Sequence, residues 1–214
     1  MAFFMLQIAH AQSEWSLTPG FYYNGGWSTM DVGGFGPIAG LEYKPTKTHF
    51  FSLELRTKYG FYFFNDGTEW VTDENGNKLL PPLNNNEARV DYKLFTPRIG
   101  LVPKLHLRFD KPLSLFLENE LDIGLMTGKI KYFGFGERKR ITEPIYCYSV
   151  GVGFEFKGDR DKGGPHLVLS MGYSTLNFIN NIKKHRPTGY NVEIPNQRAP
   201  FYMNLVLKFP LKCK

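Results

Sequence analysis

Between residues 51 and 63 the chain alternates with a period of two. Phe51, Leu53, Leu55, Thr57, Tyr59, Phe61 and Phe63 fall on one face, and Ser52, Glu54, Arg56, Lys58, Gly60 and Tyr62 on the other. A period of two belongs to a strand and not to a helix. One face is almost wholly apolar or aromatic, while the other carries charges of both signs. A soluble core would bury the apolar face and exclude those charges. The pattern therefore fits a strand set between lipid and a wet or ion-paired interior.

The same alternation recurs along the 214 residues and predicts eight strands, at about 15–24, 34–43, 48–64, 89–108, 113–132, 144–157, 166–178 and 199–211. The connections at 25–33, 65–88, 134–143 and 179–198 are long, polar or Gly-rich, whereas those at 44–47, 109–112 and 158–165 are shorter. A long–short rhythm over an even number of strands predicts an all-β fold, an eight-stranded antiparallel up-and-down transmembrane β-barrel. Its short turns and both termini share the periplasmic side. Pro97 and Pro103 fall inside the fourth strand. Proline removes a ladder donor, so a bulge or local break is expected there.

The remaining bulk properties agree. No run of about 18 apolar residues is present, which excludes a membrane-spanning helix. Aromatic residues make up 16% of the chain. Trp15, Tyr23, Tyr43, Tyr59, Phe61, Phe63, Tyr146, Tyr148, Phe201 and Phe209 lie outward near strand ends, where lipid–water interfaces collect such rings. The net charge is +6, but the basic residues are scattered over interior positions, turns and loops. Without a basic stripe or a binding motif, nucleic acid is not an expected partner. Residues 1–11 read as the remnant of a secretory signal, with an apolar run ahead of Ala9-His10-Ala11, leaving 12–214 as the barrel domain. Cys147 and Cys213 fall near opposite rims and are not expected to bridge.

An eight-stranded barrel is only wide enough for side chains to fill it. The inward acids are Glu42, Glu54, Glu118, Glu120, Asp122 and Glu155, and the inward bases are Arg56, Lys58, Arg98, Lys104, His106, Arg108, Lys157 and Lys208. Buried charges must pair, because desolvation costs several kcal/mol per ion. The expected interior is thus a network of ion pairs without a continuous pore.

The chain resembles the small outer-membrane β-barrel proteins of Gram-negative bacteria, of the OmpA/OmpX-type eight-stranded architecture, and among them the porin-family or PorT-like barrels of the Bacteroidetes. The resemblance rests on Ala9-His10-Ala11-Gln12, on the strands Gly36-Pro37-Ile38-Ala39-Gly40-Leu41-Glu42-Tyr43 and Tyr148-Ser149-Val150-Gly151-Val152-Gly153-Phe154-Glu155-Phe156, and on Leu205-Val206-Leu207-Lys208-Phe209. It departs at the end, where Phe209 is followed by Pro210-Leu211-Lys212-Cys213-Lys214 instead of closing the chain. The resemblance implies an outer-membrane location, assembly by the outer-membrane machinery, and lipid and lipopolysaccharide as surroundings.

Catalytic and metal constellations are not legible. His166 and Ser170 share a face but stand too far apart to bond, and His49 and Ser52 have opposite parity. No set of His, Cys and carboxylates has metal-ligand spacing. The expectation is no enzyme, no metal and no cofactor. The long loops remain, with Lys183, Lys184 and Arg186 in a basic last loop that offers contacts to lipopolysaccharide or a protein partner. The expected role is structural, adhesive or concerned with assembly. A narrow pore for small solutes and, behind it, a lipid-modifying enzyme are the alternatives.

Overall fold

The computed structural model describes residues 14–26, 33–45, 50–66, 71–73, 90–107, 112–132, 137–158, 164–185, 190–192 and 199–211. The segment 1–11 and most of the long loops lie outside these residues. The strands are β1 (Glu14–Leu17), β2 (Gly20–Gly25), β3 (Gly33–Lys44), β4 (Phe51–Asp66), β5 (Val71–Asp73), β6 (Val90–His106), β7 (Leu113–Tyr132), β8 (Glu137–Phe156), β9 (His166–Ser174), β10 (Tyr190–Val192) and β11 (Phe201–Leu211). A short helix, α1 (Ile179–Lys183), follows β9.

β1 and β2 are two halves of one stave. Both pair with β3 on one side and β11 on the other, and Thr18-Pro19 divides them. The remaining staves follow in chain order as β3, β4, β6, β7, β8, β9 and β11, every pairing antiparallel, and β11 returns to β9 and to the first stave. The result is a closed ring of eight staves, as the alternation predicted. Closure removes the edges at which backbone groups would go unpaired, which is what lipid requires.

The outer face is apolar. Leu121 is 62% exposed, Phe21 68% and Tyr146 75%, with Leu55, Leu101, Ile123, Leu205 and Leu207 among them. On β7 the outward apolar residues run from Leu113 to Leu125. At about 3.4 Å per residue and a tilt of about 40° this band is about 31 Å tall, close to the thickness of a bilayer's hydrocarbon core. Two polar contacts within the band are made locally. Tyr148 Oη donates to Asn119 Oδ1 at 2.8 Å, and Thr57 Oγ1 donates to the Ala39 carbonyl at 3.0 Å. Both described termini and the connections after β3, β6 and β8 share one end, which is the periplasmic end.

Of the two outcomes expected at Pro97 and Pro103, the local break is the one found: β6 keeps one unbroken register against β4, while its pairing with β7 lapses at 96–97 and 102–103 and resumes unshifted. Three expectations need correction. Residues 137–143 are strand, not loop, because β7 and β8 continue as a hairpin above the lipid band, where charged residues suit the water outside. The seventh strand stops at Ser174, and 175–178 turn inward instead of continuing it. The last connection is not only an external loop, since α1 lies within it. Outside the barrel, β5 and β10 form a two-stranded ribbon in the register Tyr190↔Asp73, Asn191↔Thr72, Val192↔Val71, which joins the acidic second long connection to the basic fourth.

Candidate functional site in the barrel lumen

The interior has two storeys. The lower and middle storey holds six buried carboxylates, Glu42, Glu54, Glu118, Glu120, Asp122 and Glu155, and five buried cations, Arg56, Lys58, Arg98, Lys104 and Lys208. Period-two strands with one lipid face must point every second residue inward, so these groups have no other place to go.

They form one connected chain of contacts. His166 Nδ1 lies 2.6 Å from Glu155, and Lys208 Nζ reaches Glu155 at 3.5 Å and Glu42 at 2.8 Å. Lys104 Nζ bridges Glu42 at 2.9 Å and Glu54 at 2.6 Å. Arg56 donates to Glu54 at 2.8 Å, to Glu118 at 3.3 Å and to Glu120 at 3.4 Å. Lys58 continues to Glu120 and, at 3.6 Å, to Asp122, which Arg98 meets at 3.1 Å. Neutral groups complete the set. Tyr202 Oη donates to Glu118 at 2.9 Å, Thr18 Oγ1 to Glu54 at 2.7 Å, and Arg98 to Asn24 at 3.2 Å and Tyr62 at 3.3 Å. Gly100 and Gly151 make this density possible: a Cβ at the first would strike Asp122, and at the second the Tyr202 hydroxyl.

The upper storey is apolar. Tyr62, Leu94, Met126, Ile130, Ile141, Ile145 and Cys147 line it from the staves, and Leu176, Phe178, Ile182 and Ala199 enter from the segments beside α1. The Phe178 ring meets the Tyr62 ring edge-on, with centroids 4.8 Å apart. Thr175 N donates to the Tyr148 carbonyl, Ala199 N to the Leu176 carbonyl, and Asn181 Nδ2 to the Pro144 carbonyl. Above the lipid band Glu143 accepts from Lys184 Nζ at 3.1 Å and pairs with His185 Nε2 at 2.8 Å. Those bonds, His185's first, hold the Glu143 carboxyl below its ordinary range.

Of the inward residues named from the sequence, the six acids come together with Arg56, Lys58, Arg98, Lys104 and Lys208; His106 meets Ser52 and Phe116, Lys157 is half-buried just beyond β8, and Arg108 lies outside the described residues. Of the loop cations, Lys184 is turned to Glu143, the Lys183 side chain is not described, and Arg186 lies outside the described residues. Lys208 and Glu42, at inward parity in the sequence, pair with each other within the network. The apolar storey is the part missed. Its signal was present as Ile141, Ile145 and Ile130 at inward parity, but the flanking charges hid it. Cys147 is free and buried within that storey, not at a rim. Ser52 finds a partner across the strand pair in His106, Oγ to Nε2 at 2.9 Å, with the imidazole 5.5 Å from the Phe116 ring, while His49 lies outside the described residues.

A closed eight-stave ring with charge inside, a lipid-thick apolar wall outside and short turns at one end has a single physical home. This is a small outer-membrane β-barrel. No protein-family profile matches the sequence of the barrel, and no curated protein matches it. Among solved structures the barrel is similar to Ail, the attachment invasion locus protein of Yersinia pestis, crystallised with the heparin analogue sucrose octasulfate, at 12% identity over 93% of this chain and 99% of that one, with a TM-score of 0.48. It is also similar to Neisserial surface protein A, at 12% identity over 93% and 97%, with a TM-score of 0.49.

Proposed function

We propose that this outer-membrane barrel is a sealed, non-conducting and non-enzymatic protein with a structural, adhesive or assembly role, acting through its external surface. The observation that carries the reading is the filled lumen. One ion-pair network spans its lower and middle part, and an apolar plug from the last long connection fills the part above. A solute would have to displace both, and breaking one member of a buried ionic set costs about 3–5 kcal/mol. Catalysis finds no support in the Ser52–His106 pair. Ser52 is wholly buried and His106 nearly so, inside the filled lumen, where a lipid substrate has no approach. The partners then sit outside: outer-leaflet lipid and lipopolysaccharide around the wall, the assembly machinery during insertion, and a protein partner at the long loops.

The test is single-channel recording of the full chain refolded into planar bilayers. Silence at all voltages is expected. Regular conductance steps in the wild type would overturn the reading in favour of a narrow solute pore.

A further inference from the structure

On the outer wall of β6, β7 and β8 the chemistry changes row by row above the lipid band. Leu125 stands opposite Pro144 and closes the band. The next row outward and upward is Phe95, Thr127 and Thr142. The row above is Lys93, Lys129 and Arg140, directly opposite one another on three adjacent strands, and all exposed. One row further Arg138 is also exposed, and the register there sets Asp91 beside Lys131 and Lys131 beside Arg138.

Like charges directly opposite each other destabilise a sheet. Here three stand in line. None of the ion pairs among the described residues involves Lys93, Lys129, Arg138 or Arg140. The wall gives them no acid from within either, because Leu94, Ile130 and Ile141 occupy the inward positions at this level. An anion supplied from outside would relieve the repulsion along such a row.

Height identifies the anion. Lys129 is four residues above Leu125, which is about 14 Å along the strand and about 10 Å along the membrane normal at the usual tilt. The headgroup layer occupies about 5–8 Å beyond the hydrocarbon edge, and long basic side chains reach back down into it. Directly below lie Ile123, Leu121 and Leu117, an apolar wall for acyl chains. We infer that Lys93, Lys129 and Arg140 form a binding site for the phosphate groups of an outer-leaflet glycolipid, whose chains lie on the wall beneath. Arg140 offers a planar fork for two phosphate oxygens, and the two lysines supply point charges on either strand. The site rests on the lipopolysaccharide contact proposed above for the outer wall, and stands or falls independently of the sealed lumen.

The experiment uses the full chain refolded in detergent, with bisphosphorylated lipid A, enzymatically dephosphorylated lipid A and inorganic phosphate as three separate probes. Native mass spectrometry reads retained lipid, and the temperature of the heat-dependent gel shift reads stability. The wild type should retain bisphosphorylated lipid A and gain stability from it, and should do neither with the other two probes. K93Q/K129Q/R140Q should lose affinity on the order of a hundredfold, and each single change about fivefold. In detergent without lipid A the triple variant should be at least as stable as the wild type, since it relieves the repulsion. That readout separates loss of the site from loss of the fold. Equal retention by wild type and triple variant, equal binding of dephosphorylated lipid A, or equal protection by inorganic phosphate would each overturn the assignment.

Discussion

The two storeys of the lumen solve one problem by opposite means. Below, the staves meet across charge, and each side chain is held by several partners on different strands. Arg56 alone ties β4 to two acids of β7. Above, the staves present apolar side chains, and a returning segment supplies Leu176, Phe178 and Ile182 to fill the space between them. The difference teaches where this barrel is rigid. An ionic storey on staves that backbone hydrogen bonds close into a ring cannot lose a member without stranding a charge. A plug built from one connection can leave as a unit while the ring stays closed.

Breaking the lower storey should have the largest effect. R56M leaves Glu54, Glu118 and Glu120 short of their shared cation and should cost about 3–5 kcal/mol, read as a fall in the urea midpoint of the refolded barrel. The companion E54M/R56M removes the acid along with the base and should recover part of that loss. If it is no more stable than R56M, the storey is not held by charge pairing.

The upper storey should respond locally. F178A removes the ring that packs on Tyr62 and should cost about 3 kcal/mol of plug seating. The Ile182 amide, which donates to the Phe178 carbonyl at 3.0 Å, should then exchange on the order of a hundredfold faster, while the heat-dependent gel shift of the barrel persists. Loss of the gel shift would show that the plug and the ring form a single cooperative unit.

Combining the two storeys sharpens the comparison. F178A/I182A should remain silent in planar bilayers, because the ionic storey still closes the lumen. Conductance in this variant would assign the seal to the plug alone.

The smallest effect belongs to Glu143, the clamp between plug and hairpin. Its ordinary value is near 4.5, and its partners lower it. A carboxyl lowered on folding contributes stability that is present above its ordinary value and fades as pH falls through the lowered one. The plug should therefore exchange faster only on strong acidification, and E143Q should show that faster exchange at neutral pH and respond less to acid. Equal behaviour of E143Q and wild type at neutral pH would remove Glu143 from the clamp.

Strand parity was legible in the sequence wherever lipid lies outside. From Leu113 to Leu125 on β7 every second residue except Asn119 is apolar, and the inward set follows by elimination. That alternation also located the ionic storey, because Glu118, Glu120 and Asp122 share one parity while Arg98, Lys104 and His106 share it on the neighbouring strand. Above the bilayer the rule loses its cause. Water replaces lipid outside, so Arg138 and Arg140 are as acceptable as leucine is below, and residues 137–143 read as loop.

What the sequence determined by itself was therefore the number of staves, their faces and the charge within, since a lipid boundary imposes a period of two on any chain that crosses it as strand. What only the tertiary structure decided was which residues meet. Ser52 with His106, Glu42 with Lys208, Phe178 with Tyr62, and the cation row of Lys93, Lys129 and Arg140 all depend on register and on the path of one returning segment. Register is set by the closure of the whole ring, and no local pattern carries it.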